Sequence, residues 1–504
     1  MNETQQIPLW LQDPPPKLKL DQFKLDLFQF QNSGAIFLAQ NANCILTDQP
    51  GLGKTPQSIA AFNALARKLP TLKCIVVCPA SLTGQWADEI KKFSTMKAVS
   101  YNKTKVNRLK ELKKFIDDPE VQIIISNYDL IRRDIDNFLD LHKKFPFIIV
   151  YDESQKIKNH RSKTAKALRL LSVRAKGNKM LTATPVFNNV LDLYGLFRII
   201  NPNLFGTYTN FMNNFTNYYM VPMGNYEIPV YQGPKNIPLL KDTIKGYVFG
   251  RQKKDVYSQL PDLTFSDRAV DLPAHHQEIY DALAESKVLI ESSDEQHEVN
   301  ALGALTHMQR CVDAVEHLNT EVAASHPKID AAVEIVQEEF GDDKIIIYSK
   351  FTSTIDILKT ALDKAGIKHF VNDGRENTIK RDEYRREWEA YKGKAVLIIS
   401  SAGGAGLNLQ AAGTIIFLNY PWSYGELLQV WGRIHRIGST HNKLLIINLY
   451  CSDTIDEDIR DALRSKQATF NRLFSDGAEL PTGGANDLGK DIMQKVKARA
   501  IGKL

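Results

Sequence analysis

Short, nearly uninterrupted β-branched runs recur along this chain and fall into two sets. The first holds "CIVVCP" (74–79), "VQIIIS" (121–126), "FIIVYDE" (147–153) and "KMLTAT" (179–184). The second holds "KIIIYSK" (344–350), "AVLIIS" (395–400), "TIIFLN" (414–419) and "LLIINLY" (444–450). Runs without polar alternation suit strands buried on both faces, as in parallel sheets. Segments with helical periodicity lie between them, which predicts doubly wound α/β lobes. Two separated sets predict two such lobes in tandem.

The boundaries follow from composition. Residues 1–19 read as an N-terminal tail, 20–255 as lobe 1, 256–480 as lobe 2, and 481–504 as a basic C-terminal tail. The aromatic, Asn-rich stretch 195–250 reads as an insertion in lobe 1. The helical stretch 270–335 reads as an insertion in lobe 2, after a linker near 252–262. At 504 residues the chain exceeds what one core organises.

No apolar run is long enough to cross a bilayer, and "MNETQQIPLW" has no signal-peptide plan. The 5 cysteines are odd in number, scattered and without zinc-ligand spacing, so small buried hydrophobes in a reducing compartment are expected. That compartment is the cytoplasm of a prokaryotic or virus-infected cell, or the nucleus of a eukaryote. The net charge of +6 is mild. The basic runs "KTKVNRLKELKK" (103–114) and "KIKNHRSKTAKALR" (156–169) fit either solvated faces or phosphate contact.

"CILTDQPGLGKTPQ" (44–57) places a short strand, a Gly-containing loop and an amphipathic helix in succession. A phosphate-binding loop, G-x-x-x-x-G-K-[ST], needs that context: loop and helix N–H groups face phosphate oxygens. Gly53, Lys54 and Thr55 match; Asp48 stands where the pattern has Gly. Lys54 can reach the outer phosphates and Thr55 can place its hydroxyl on Mg²⁺. Pro50 and Pro56 donate no N–H. Pro56 lies in the first helical turn, where Pro is tolerated, but one phosphate donor is lost there. Asp152 and Glu153 follow the strand "FIIVY". They suit a split role, Asp152 holding the metal through water and Glu153 orienting and deprotonating the attacking water. In "LLQVWGRIHRIG" (427–438), Arg433 and Arg436 lie three apart, as on one helix face. They read either as a solvated basic face or as arginine fingers for a nucleotide on lobe 1.

Together, "LFQF", "DQPGLGKTPQ", "VVCPASLTGQWADEI", "IIISNYDLI", "DESQKIKN", "LTATPVFN", "YSKFTSTIDIL", "ISSAGGAGLNLQAA" and "QVWGRIHRIG" occur in order over residues 20–475. This series resembles the motifs of the Swi/Snf ATPases of helicase superfamily two. The resemblance implies two RecA-like lobes, ATP and Mg²⁺ as cofactors, and a DNA-dependent ATPase that translocates on duplex DNA. In that family Asp48 is usual.

Carried over by motif, Gln29 would read the adenine edge. The cradle would comprise Asp48, Gly51, Leu52, Gly53, Lys54 and Thr55, with Gly406 and Asn408 approaching from lobe 2. Gln429, Arg433 and Arg436 would face the γ-phosphate, and Thr182 and Thr184 would couple nucleotide to DNA. Ser81, Lys158, Asn159, Ser349, Lys350, Ala402 and Gly403 fall in motifs that track DNA, without sequence reading. Trp422 matches the aromatic before the finger helix. Arg251 in "GRQKKDV" resembles the start of the family's basic linker, whose second arginine is Gln252 in this chain. The partner implied is duplex or branched DNA. A strand-separating helicase on DNA or RNA is the alternative, and a catalytically inactive DNA clamp is a third reading.

Overall fold

The computed structural model describes residues 8–12, 15–102, 104–182, 190–223, 226–252, 256, 261–293, 297–317, 324–376, 378–401, 409–421, 424–435, 439 and 441–474. Two compact units divide the chain, with the boundary between Ser258 and Gln259.

The first unit is built on strands β1 (Asn43–Leu46), β2 (Lys73–Cys78), β3 (Lys97–Tyr101), β4 (Val121–Asn127), β5 (Phe147–Asp152) and β6 (Gly177–Leu181). Strands β7 (Thr216–Met223) and β8 (Tyr226–Pro234) form a separate antiparallel hairpin, and β9 (Val248–Phe249) closes the series. The main sheet runs β3-β4-β2-β5-β6-β1-β9, and every pairing in it is parallel. Successive side chains point to opposite faces, so an uninterrupted apolar strand feeds two cores. Ile45, Ile75, Val77, Ile124 and Ile149 enter one, and Cys44, Leu46, Cys74, Val76, Ile123 and Val150 the other. All five cysteines are buried, and burial raises the pKa of each thiol.

The second unit is built on β10 (Asp262–Ala269), β11 (Lys344–Tyr348), β12 (His369–Asn372), β13 (Ala395–Ile399), β14 (Thr414–Phe417) and β15 (Lys443–Tyr450). They form one parallel sheet in the order β10-β15-β14-β11-β13-β12. The doubly wound α/β architecture expected from the strand runs is therefore what the chain adopts, twice.

Neither stretch read as an insertion is wholly additional. Within 195–250, the helix Leu191–Ile200 contributes Leu196, Phe197, Ile199 and Ile200 to a core, and β9 pairs with β1. Within 270–335, the helix Pro327–Glu338 buries Ile329, Ala332 and Ile335 against the second sheet. Aromatic and Asn-rich composition hid the first, and helical periodicity common to layers and inserts hid the second.

Candidate nucleotide site and its flanking surface

In the first unit, register places the chemistry. Asp152 of β5 and Leu46 of β1 both pair with Leu181 of β6. The carboxyl ends of three adjacent strands therefore carry, in order, Asp152 with Glu153, then Thr182, then the loop 47–53. At the usual inter-strand spacing, β5 and β1 lie about 10 Å apart. Open parallel sheets bind ligands at such ends.

The loop turns on glycines. Gly51 has φ 90° and Gly53 φ 77°. A Cβ on Gly53 would lie 2.5 Å from Gln31 Nε2, so that position excludes a side chain on both counts. Gly53 is the N-cap of the helix Lys54–Lys68, which puts Lys54 and Thr55 in its first turn. Pro56 follows in the same turn and is buried. Lys54 Nζ donates to Asp48 O at 2.6 Å. Leu52 is fully buried and offers its carbonyl to Gln31 Nε2 at 3.2 Å and Gln57 Nε2 at 3.1 Å.

Asp152 is buried and accepts from Trp86 Nε1 at 2.8 Å and from the Glu153 N–H at 3.0 Å. Its pKa is pushed up to about 6, first by burial and then by the Glu153 charge, against the indole, the Lys54 ammonium and the Glu153 N–H. Glu153 is held at φ 50°, the left-handed region that non-glycine residues seldom occupy. Gln155 Nε2 donates to Glu153 Oε2 at 2.6 Å, and Thr182 Oγ1 donates to Gln155 Oε1 at 2.8 Å. A continuous hydrogen-bonded path therefore joins the β6 end to Glu153.

A carboxylate and a hydroxyl, Asp152 and Thr55, are hard oxygen donors of the kind Mg²⁺ takes. Among the described residues no cluster of three or more His, Cys, Asp or Glu forms a metal cage.

The structure places the assigned residues as follows. Gln29 is exposed at the start of the helix Gln29–Gln40, whereas Gln31, two positions on, is buried against the loop. The Asp48 carboxylate is 0% exposed and bound by Arg251 and Gln57, so it supports the loop from behind. Lys158 pairs with Asp192 at 3.3 Å, which offsets the charge expected to meet phosphate. Asn159 is exposed, with its side-chain oxygen accepting the Arg161 N–H at 3.0 Å. Ser81 is half-buried in the turn Ala80–Leu82 after β2.

In the second unit Ser349 is fully buried and bonded to Phe351 and Asn419, so its hydroxyl serves the loop after β11. Lys350 is half-buried, with its pKa lowered to about 8 by burial, against the charges of Glu426 and Asp313. Its N–H donates to Asn419 Oδ1 at 2.7 Å. Gln429 and Arg433 line one small cleft with Ser401 and Glu426. Arg433 is not on a helix face, because the helix Tyr424–Trp431 ends before it; its N–H closes a turn onto Val430 O at 3.0 Å. Thr184, Ala402, Gly403, Gly406, Asn408, Trp422 and Arg436 lie outside the described residues.

Sequence reading passed over Gln31, Gln57, Trp86 and Gln155. Each is a buried polar or indole group beside the motif it supports, and a polar residue on an otherwise apolar helix face is the signal available for the first two.

Known proteins resemble this chain along most of its length. The model of the SNF2-related domain matches residues 19–317, and that of the helicase conserved C-terminal domain matches 327–438. An uncharacterized ATP-dependent helicase of Mycoplasma genitalium is 28% identical over 437 residues, covering 85% of this chain and 40% of that protein. The chromodomain-helicase-DNA-binding protein 1-like of Danio rerio is 26% identical, covering 88% and 43%. The chain thus spans about two fifths of the length of these relatives. Among solved structures, the Sulfolobus solfataricus SWI2/SNF2 ATPase core in complex with dsDNA is 25% identical over 92% of this chain and 96% of that one, with a TM-score of 0.43. With more than half of its length matched by one family, the chain belongs to the SNF2-related family.

Proposed function

We propose that the protein hydrolyses ATP and uses the turnover to translocate on duplex DNA. The observation that carries this reading is the in-register alignment of Asp152–Glu153, Thr182 and the Lys54 loop on three neighbouring strand ends. Family membership and the relatives named as ATP-dependent helicases support it.

Lys54 neutralises the outer phosphates, and the first-turn N–H groups of the Lys54–Lys68 helix bind their oxygens. Thr55, and Asp152 through water, would hold Mg²⁺, which when bound would neutralise charge on the transferred phosphoryl group. Glu153 orients the attacking water and takes its proton; its strained backbone and the Gln155 hydrogen bond fix where that carboxylate points. Gln429, Arg433 and Arg436 take the γ-phosphate role that their motif carries. Because Thr182 reaches Glu153 through Gln155, DNA contacts that shift the β6 end alter the water-orienting group.

DNA is bound through phosphates by Lys350, Ser81, Asn159 and the glycine-rich segment 402–403, without base reading. Translocation that remodels DNA structures or strips bound protein is the activity proposed; branch migration, annealing and fork remodelling belong to it. Displacement of a triplex-forming strand ahead of the motor, without separation of a plain tailed duplex, tests the reading. Efficient unwinding of that duplex would favour a strand-separating helicase.

A further inference from the structure

We infer that Arg251 is a positioning residue for the phosphate loop, so that the segment leaving the first unit helps set ATP affinity. This rests on reading the loop as an ATP site.

The Asp48 carboxylate is fully buried at the base of that loop. Its Oδ1 accepts from Arg251 N at 3.1 Å and Arg251 Nε at 3.0 Å. Its Oδ2 accepts from Arg251 Nη2 at 2.5 Å and Gln57 Nε2 at 2.9 Å. Arg251 Nη1 donates to Phe30 O, and Nη2 also donates to Gln57 Oε1 at 2.9 Å. The guanidinium centre lies 4.8 Å from the Phe249 ring and 5.6 Å from that of Phe30. One side chain therefore fixes the start of the Gln29–Gln40 helix, the loop and the Lys54–Lys68 helix relative to β9.

The backbone extends the clamp. Thr47 N donates to Phe249 O at 2.7 Å and Gln49 N to Arg251 O at 3.1 Å. Asp48 in turn presents to Lys54 Nζ the carbonyl it bonds at 2.6 Å. A Cβ on Gly34 would sit 1.8 Å from Gln57 Oε1 and 2.7 Å from Arg251 Nη2, so the helix approaches this cluster as closely as a glycine allows. A buried ion pair is a poor source of net stability, since neutral groups of like volume often replace it without loss. What a planar bidentate fork supplies is orientation. Arg251 lies just ahead of the boundary between the units, so a displacement of the departing chain reaches Asp48 directly.

The test is the neutral pair Asp48→Asn/Arg251→Gln, made in the full chain beside Arg251→Lys. Melting and circular dichroism establish folding, and steady-state kinetics separates KM from kcat. The double variant is expected to fold and to show KM for ATP raised about tenfold, with kcat on duplex DNA within about threefold of the parent. Arg251→Lys keeps the charge without the fork and is expected to raise KM by about threefold or more. A parental KM in either folded variant overturns the role of Arg251 alone. If the double variant does not fold, Arg251→Lys decides. A parent protein that binds no fluorescent ATP analogue overturns the ATP reading and this inference together.

Discussion

Trp86 Nε1 donates to Asp152 Oδ2 at 2.8 Å, so the indole that follows β2 holds the carboxylate that ends β5. Burial nonetheless pushes that carboxyl up to about 6, against an ordinary value of 3.8. A raised carboxyl pKa means the folded protein binds protons more tightly than the unfolded chain. Ionising Asp152 therefore costs stability, a cost that grows as pH rises from about 4 to 6 and is full above that. In buffer without nucleotide or magnesium, Asp152→Asn is expected to stabilise the protein by roughly 3 kcal/mol at pH 8, with the gain fading toward pH 4. The same variant loses ATP turnover. Urea titrations across that range check it, and a gain independent of pH contradicts the assignment.

The Thr182–Gln155–Glu153 path makes a separate prediction. Gln155→Ala removes both hydrogen bonds and leaves Lys54 and Asp152 in place. DNA-stimulated kcat is expected to fall about tenfold or more, with KM for ATP within about threefold of the parent. Equal effects on basal and DNA-stimulated turnover would show that the path orients Glu153 without carrying DNA state to it.

The strands legible in the sequence and those missed differ in one physical respect. β2, β4, β5, β11, β13, β14 and β15 are interior to their sheets and read as mainly apolar runs, and interior β6 shows itself only by its apolar end, Met180–Leu181. β3, β9, β10 and β12 are edge strands. β10 mixes exposed and half-buried residues, as "DLTFSDRA", with none fully buried, and β9 has only two residues. Edge strands face solvent on more sides, so their composition carries less of the pattern. The site divides similarly. Lys54, Asp152 and Glu153 belong to local motifs. Arg251 meets Asp48 across 203 residues, and Trp86 meets Asp152 across 66; neither pairing has a local signature. Gln29 and Gln31 lie in one short stretch, and burial, which the sequence does not display, separates them.

That separation is testable. Gln31 bridges the Phe28 N–H at 3.2 Å and the Leu52 carbonyl, joining the helix start to the loop. Gln31→Ala is expected to raise KM for ATP about tenfold, while exposed Gln29→Ala stays within about twofold. Parallel ATP and GTP kinetics on both variants check this. A loss of ATP preference confined to Gln29→Ala would assign adenine reading to Gln29 and contradict the role given to Gln31.

In the second unit Lys328 is fully buried between Asp313 at 2.8 Å and Asp456 at 2.6 Å. Asp313 Oδ2 also accepts from Thr354 Oγ1 at 2.9 Å and from Asn419 Nδ2 at 2.6 Å, and Asn419 holds the Lys350 N–H. Lys328→Met leaves two buried carboxylates uncompensated. Destabilisation by about 3–5 kcal/mol is expected, read by calorimetry as a lower transition for this unit. A loss below about 1 kcal/mol would show that the carboxylates find other compensation.

The account turns on whether this site hydrolyses ATP in response to DNA. The direct measurement is steady-state phosphate release by the full chain with and without duplex DNA, repeated with Glu153→Gln. Duplex DNA is expected to raise turnover about tenfold or more, and Glu153→Gln to bind ATP while losing essentially all of that turnover. Turnover indifferent to DNA, or a Glu153→Gln variant as active as the parent, would contradict it.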